Sequence, residues 1–174
     1  MVWSEGAEVR FGPNLVRLTN QGAPPTATHE GPRAVGFLPG ACALYRLVDL
    51  CAVGGLDEEY FMYMEDAELG ERLRALGKKL LHVPWLRATH SAGMSSGGGR
   101  SPLRKFLMGR NAVLFARKHG GFRLWSAVIV FEIMLWPLSL FRGAGLRSAF
   151  AKARGVWRGL TCGSVGPADV EANL

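Results

Sequence analysis

The feature that most restricts this chain is a change of hydrophobic period within "LDEEYFMYMEDAELGERLRALGKKLLHVPWLRATH", Leu56 to His90. Leu69, Leu73 and Leu76 recur at i, i+4 and i+7, which predicts one apolar helical stripe, with Glu68, Glu71, Arg72 and Arg74 around the rest. The predicted helix starts near Glu65 or Asp66. Carboxylates there are favoured by the free N–H groups and the positive end of the helix dipole, by about 0.3–1 kcal/mol each. Gly77 supplies the stop. The flanking runs have a different character. "AVGFLPGACALYR" reads as extended, "LVDLCAVGG" as a short helix closed by two glycines, and "KKLLHVPWLRATH" as one or two short strands broken at Pro84. Helix and strand signals that alternate in this way predict an α/β core.

The flanks divide the chain into four parts. Residues 1–33 are rich in Gly and Pro ("NQGAPPTATHEGPR") and read as an irregular leading segment with little core of its own, and 34–120 form the α/β part. Residues 121–160 form a hydrophobic and basic helical tail, and 161–174 a flexible C-terminus. Inside the second part, "SAGMSSGGGRS" has the composition of a loop, and a helix is predicted from about Pro102 to His119. No signal peptide is visible in "MVWSEGAEVRF". Cys42, Cys51 and Cys162 are odd in number and form no CxxC pair, which argues against a disulfide framework and for small buried hydrophobes in a reducing compartment.

A formal charge of +7 suggests an anionic partner. Nucleic acid is set aside, because the basic residues of the tail (Arg142, Arg147, Lys152, Arg154, Arg158) alternate with aliphatics rather than with aromatics on a sheet. Leu124–Phe141 nearly reaches the roughly 20 apolar residues that cross a bilayer, but Glu132 at its centre opposes insertion by about 2.5–3.5 kcal/mol. Trp125 and Trp136, with Arg123, Arg142 and Arg147, suit an interfacial helix, so peripheral membrane contact is expected ahead of burial or a single span over 124–141.

Chemistry concentrates at Glu65 and Asp66. Adjacent residues lie about 100° apart on a helix, so both cannot serve one cap. The preceding "EYFMYM" provides an apolar wall, and a carboxylate kept ionised beside such a wall is suited to accept a proton. His90 closes "ATH" just before the glycine-rich run.

The order "GACALYR", "VGGLDEEYFMYMEDAELGERLRALG", "LLHVPWLRATH" and then "GRN" resembles the C-terminal half of family 2 glycosyltransferases of the GT-A fold, especially the rhamnosyltransferase-like and galactofuranosyltransferase-like members. The resemblance covers roughly Ala34 to His119. It implies a partial GT-A, nucleotide-diphospho-sugar transferase fold with a helical, membrane-interacting C-terminal extension. The implied reaction is inverting transfer from a nucleotide-sugar donor to a glycan or polyprenyl-linked acceptor, at the inner face of the plasma membrane. Carried over by position, it makes Asp66 the catalytic base with Glu65 beside it, and His90 a ligand of a divalent metal. Imidazole suits Mn²⁺ better than Mg²⁺. Gly40 and Ala41 would face the sugar, while Arg110 and Asn111 would line the acceptor site or anchor their helix. Arg100 reads as a solvated loop charge more readily than as a phosphate contact.

The family's nucleotide-binding N-terminal half and its D-x-D metal motif are not matched, since residues 1–33 contain no aspartate. The sequence therefore reads as an acceptor-side half without its donor-binding half, expected to be a truncated enzyme or one piece of a split one, with a separate N-terminal half or a second copy as the expected partner. The competing expectation is a non-catalytic, membrane-associated remnant or interaction module.

Overall fold

The computed structural model describes residues 1–25, 31–91, 101–138, 145–161 and 165–172. The Gly/Ser loop beyond Ser91, Arg100, Arg142, Cys162 and the end of the apolar segment lie outside the described residues. The chain forms two compact units that interleave in sequence: Met1–Arg10, Val16–Asp57 and Glu65–His90 in one, Phe11–Leu15, Glu58–Met64 and Ser91–Leu174 in the other.

The first unit is mixed. Strands β1 (Ala7–Val9) and β2 (Val16–Leu18) pair antiparallel, with Ala7 opposite Leu18. The leading segment, expected to be irregular, thus contributes a hairpin. The mutual backbone bonds of Ala7 and Phe37, 2.9 and 3.1 Å, tie it to later residues. A pairing this distant in sequence leaves no local signature. Strands β3 (Arg33–Val35) and β4 (Leu80–His82) also pair antiparallel, with Val35 opposite Leu80. Helix α1 is Leu47–Ala52, and α2 is Glu65–Ala75.

Helix α2 starts where its acidic first turn predicts. It ends in a Schellman motif: Lys78 N–H reaches Leu73 O (3.1 Å), Gly77 N–H reaches Arg74 O (2.9 Å), and Gly77 takes φ 74°. Its buried face differs from the expected leucine stripe. Leu69 and Leu73 are buried, but Leu76 is 51% exposed. Glu68, expected on the outer surface, is 2% exposed and held by Arg72, whose guanidinium also donates to Val53 O and Gly55 O. At Gly70 a Cβ would stand 2.6 Å from Phe37 Cβ, so the lack of a side chain lets α2 lie directly on the 36–37 backbone. Cys42 and Cys51 are free and exposed, not buried as expected.

The second unit is helical. Helix α3 (Pro102–His119) is capped by Ser101 Oγ, which accepts from Arg104 N–H (3.2 Å), and Pro102 sits at its first position. Leu103 and every residue from Phe106 to Ala116 are buried, which makes α3 the unit's central helix. Tyr60, Phe106 and Phe115 lie fully inside, each contributing on the order of 1.5–3 kcal/mol by leaving water. Helix α4 (Phe122–Ala127) continues as a π-helical stretch, Val128–Met134, and α5 spans Leu146–Leu160. A short helix, α6, covers Pro167–Glu171.

Helix α5 packs on α3 through glycines. A Cβ at Gly155 would sit 2.0 Å from Phe106 O, and one at Gly109 would sit 2.7 Å from Lys152 O. Glu132 is not left facing lipid: its side chain is fully buried, paired with Lys152 Nζ at 2.6 Å, and accepts from Asn14 N–H at 2.8 Å. Among the described residues no helix is long and apolar enough to cross a membrane.

Candidate functional site

In the first unit the acidic start of α2 is bonded to the turn after β3. Asp66 Oδ2 accepts from Gly40 N–H at 3.0 Å, and Oδ1 accepts from Ala67 N–H at 2.8 Å. A Cβ added at Gly40 would come 4.0 Å from this carboxylate. Burial pushes the Asp66 carboxyl above its usual range, and the two backbone donors oppose that shift. Glu65 is raised too, chiefly by burial and then by the neighbouring Asp66 charge, and its Oε2 is buried without a hydrogen-bond partner. The outcome is two adjacent carboxyls with higher proton affinity than exposed ones, one of them oriented by fixed backbone donors. That arrangement is suited to receiving a proton.

A cleft of about 780 Å³ opens in this unit, lined in part by Trp3, Leu38, Pro39, Ala41, Cys42, Tyr45 and His90. Pro39 and Ala41 flank Gly40, so this wall is the turn that holds Asp66. Tyr45 carries the same electrostatic mark. Its phenol is pushed up to about 12, first by burial and then by the Asp66 charge, and remains a neutral hydroxyl at ordinary pH. Arg46, Lys78, Lys79 and Arg87 outnumber Glu5 and Asp49 around the cleft, a balance that favours a phosphate-bearing ligand. Asp49 partly offsets it through ion pairs with Lys78 (2.8 Å) and Arg46 (3.6 Å).

His90 is exposed at the cleft, with the Trp3 ring edge-on at 4.5 Å. One imidazole cannot hold a divalent cation by itself. Among the described residues no three His, Cys, Asp or Glu side chains converge, so these residues do not form a complete metal site.

Arg110 and Asn111, expected to line the acceptor site or anchor their helix, sit in the interior of the second unit at 1% and 0% exposure. Asn111 Nδ2 donates to Tyr60 O (3.0 Å), Met62 O (2.9 Å) and Tyr63 O (2.8 Å). Arg110 Nη1 donates to Glu59 O (2.7 Å) and Asn111 Oδ1 (2.9 Å). The segment they hold is conformationally costly: Phe61, Tyr63 and Met64 all take positive φ, 60°, 70° and 67°. Bulky side chains rarely adopt this region, at about 1–3 kcal/mol each. Both side chains are engaged with the backbone of residues 59–63. The placement of Tyr45 and Trp3 at the cleft had no signal in the sequence beyond the residue types.

No family model matches the chain, and no solved structure matches it. Among curated proteins it is 38% identical over 124 residues to N-acetylglucosaminyl-diphospho-decaprenol L-rhamnosyltransferase from two Mycobacterium tuberculosis strains, CDC 1551 / Oshkosh and H37Rv. Its relatives are rhamnosyltransferases. That alignment takes in 70% of this chain and 39% of each mycobacterial protein, so the chain spans well under half the length of the relatives it matches. Rhamnosyltransferase WbbL of Escherichia coli K12 is 41% identical over 58 residues, 33% of this chain and 22% of that protein.

Proposed function

We propose that this chain forms the acceptor-side part of an inverting glycosyltransferase of GT-A type, which moves a sugar, L-rhamnose in the first instance, from a nucleotide donor to a glycan or diphospho-polyprenol-linked acceptor. The observation that carries the reading is the 38% identity to the mycobacterial rhamnosyltransferases over 124 residues. The oriented Asp66 carboxylate beside a cationic cleft supports it. The acceptor hydroxyl oxygen attacks the anomeric carbon, the bond from that carbon to the donor's phosphate oxygen breaks, and the nucleoside diphosphate leaves with the electron pair. Asp66 takes the hydroxyl proton. Gly40 N–H fixes the direction of its carboxylate, and Glu65 adds proton affinity next to it. Ala41 and Tyr45 shape the cleft wall, and Arg46, Lys78 and Lys79 supply positive charge for the donor's phosphates.

His90 contributes at most one ligand to a divalent cation, Mn²⁺ or Mg²⁺, whose remaining ligands would come from the donor diphosphate and from residues outside this set. Arg110 and Asn111 act at a distance, holding residues 59–63, the stretch that runs directly into Glu65. A polyprenol-linked acceptor places the work at a membrane surface, on the side where nucleotide sugars are present.

The test is a chimera in which the aligned 124 residues replace the corresponding segment of the mycobacterial relative. Rhamnosyl transfer to N-acetylglucosaminyl-diphospho-polyprenol is the expected result. A folded chimera that transfers nothing contradicts the reading and favours a non-catalytic module.

A further inference from the structure

Helix α5 has two opposed faces. Ser148, Ala151, Gly155 and Gly159 run along the buried side. On the opposite side Leu146 (66% exposed), Phe150 (54%), Trp157 (67%) and Leu160 (42%) form a second apolar stripe, which a helix turned only toward a core does not need. Arg147, Arg154 and Arg158 follow one edge of this stripe at helical spacing. The helix carries no Asp or Glu, and its remaining cation, Lys152, is engaged by the buried Glu132. The ring of Trp136 packs against Phe150 at 5.9 Å, and its indole N–H donates to Ala149 O at 2.7 Å, fastening the stretch after the π-helix to the start of α5. A recess of about 460 Å³ lies beside Arg154, Trp157 and Arg158. Asp169 closes one side of it through a 3.1 Å pair with Arg158.

We infer that this outer face of α5 is a surface that lies on an anionic lipid bilayer. Aromatic and aliphatic side chains enter the headgroup boundary, and Arg147 and Arg154 meet lipid phosphates. Charge selects this occupant over a second copy of the chain. A two-fold contact through the same face would bring Arg147 and Arg154 against their own copies, with no carboxylate on the helix and Asp169 already paired with Arg158. The inference deepens the membrane part of the proposed function and rests on it only for the identity of the surface. Lipid binding is measured without sugar donor, so failure here is distinguishable from failure of the transferase reading.

The experiment is co-sedimentation of the full chain with phosphatidylcholine vesicles, with and without phosphatidylglycerol, at low and high salt. Binding should be at least about tenfold tighter to the anionic vesicles and weaken with salt. The doubles Phe150→Ser/Trp157→Ser and Arg147→Gln/Arg154→Gln should each lose about tenfold or more. Tryptophan quenching by brominated lipid should also fall in Trp157→Phe, a variant that keeps the fold. The inference is overturned by absent vesicle binding, by binding that both doubles retain, by quenching unchanged in Trp157→Phe, by self-association that Phe150→Ser/Trp157→Ser abolishes, or by tighter binding to duplex DNA at matched salt.

Discussion

The backbone N–H of Gly40 donates to Oδ2 of Asp66 at 3.0 Å, tying the first turn of α2 to the turn that follows β3. The bond aims the carboxylate that the proposed chemistry needs, and burial raises that carboxylate's proton affinity. Orientation and desolvation therefore meet at one residue.

The raised carboxyls of Asp66 and Glu65 give stability a definite slope with pH. Each binds its proton more tightly folded than unfolded, so each contribution is fully present below the ordinary carboxylate range and declines as pH rises through the raised folded values. Asp66→Asn should therefore melt at or above the wild-type temperature at neutral pH and show a shallower decline from acid to neutral. Thermal melts across that range check this, and a neutral-pH melting point well below wild type would contradict it.

Asn111 anchors three carbonyls in a segment where three bulky residues take positive φ. Asn111→Ala leaves buried acceptors without their donor, at about 1–3 kcal/mol per group, and frees a costly conformation. Urea unfolding should show a loss of about 3 kcal/mol or more. A loss below about 0.5 kcal/mol, the size of an ordinary surface substitution, would remove the anchoring role.

Arg72 Nε donates to both carboxylate oxygens of Glu68 at 2.8 Å and Nη2 lies 2.6 Å from Oε2, while Arg72 also holds Val53 O and Gly55 O. Arg72 is partly exposed and Glu68 is not. Arg72→Met should cost about 2–4 kcal/mol by leaving a buried charge unpaired. Glu68→Met/Arg72→Met should recover part of this, and a double variant less stable than the single one would contradict the account.

Gly155 lies where α5 crosses α3, with the position of an added Cβ 2.0 Å from Phe106 O. Gly155→Ala gains up to about 1 kcal/mol in helix propensity, yet the clash with backbone requires the two helices to separate. The melting temperature should fall by several degrees, and a rise would show that α5 does not pack this closely.

What was legible in the sequence was local. The limits of α2 follow from Glu65, Asp66 and Gly77, and those of α3 from Ser101, Pro102 and the basic residues before Gly120, because caps and dipoles act within one turn. The hairpin near the N-terminus pairs two strands of only three residues each, too short to show an alternating pattern, and its link from Ala7 to Phe37 depends on a partner far along the chain. Burial of Glu68 and Glu132 was missed for the same reason: a carboxylate reads as surface until Arg72 or Lys152 is known to meet it. At the candidate site, the position of Asp66 at a helix start was readable, but its bond to Gly40 was not.

The central claim is that Asp66 accepts the proton of the attacking hydroxyl, and the most direct measurement is the rate of rhamnosyl transfer by the mycobacterial chimera with Asp66 and with Asp66→Asn, followed across pH. The account predicts a wild-type rate that rises with pH through the raised carboxyl value, and a loss of about 10²–10⁴-fold in Asp66→Asn with its fold intact. A folded Asp66→Asn chimera that retains the wild-type rate and pH profile would contradict it.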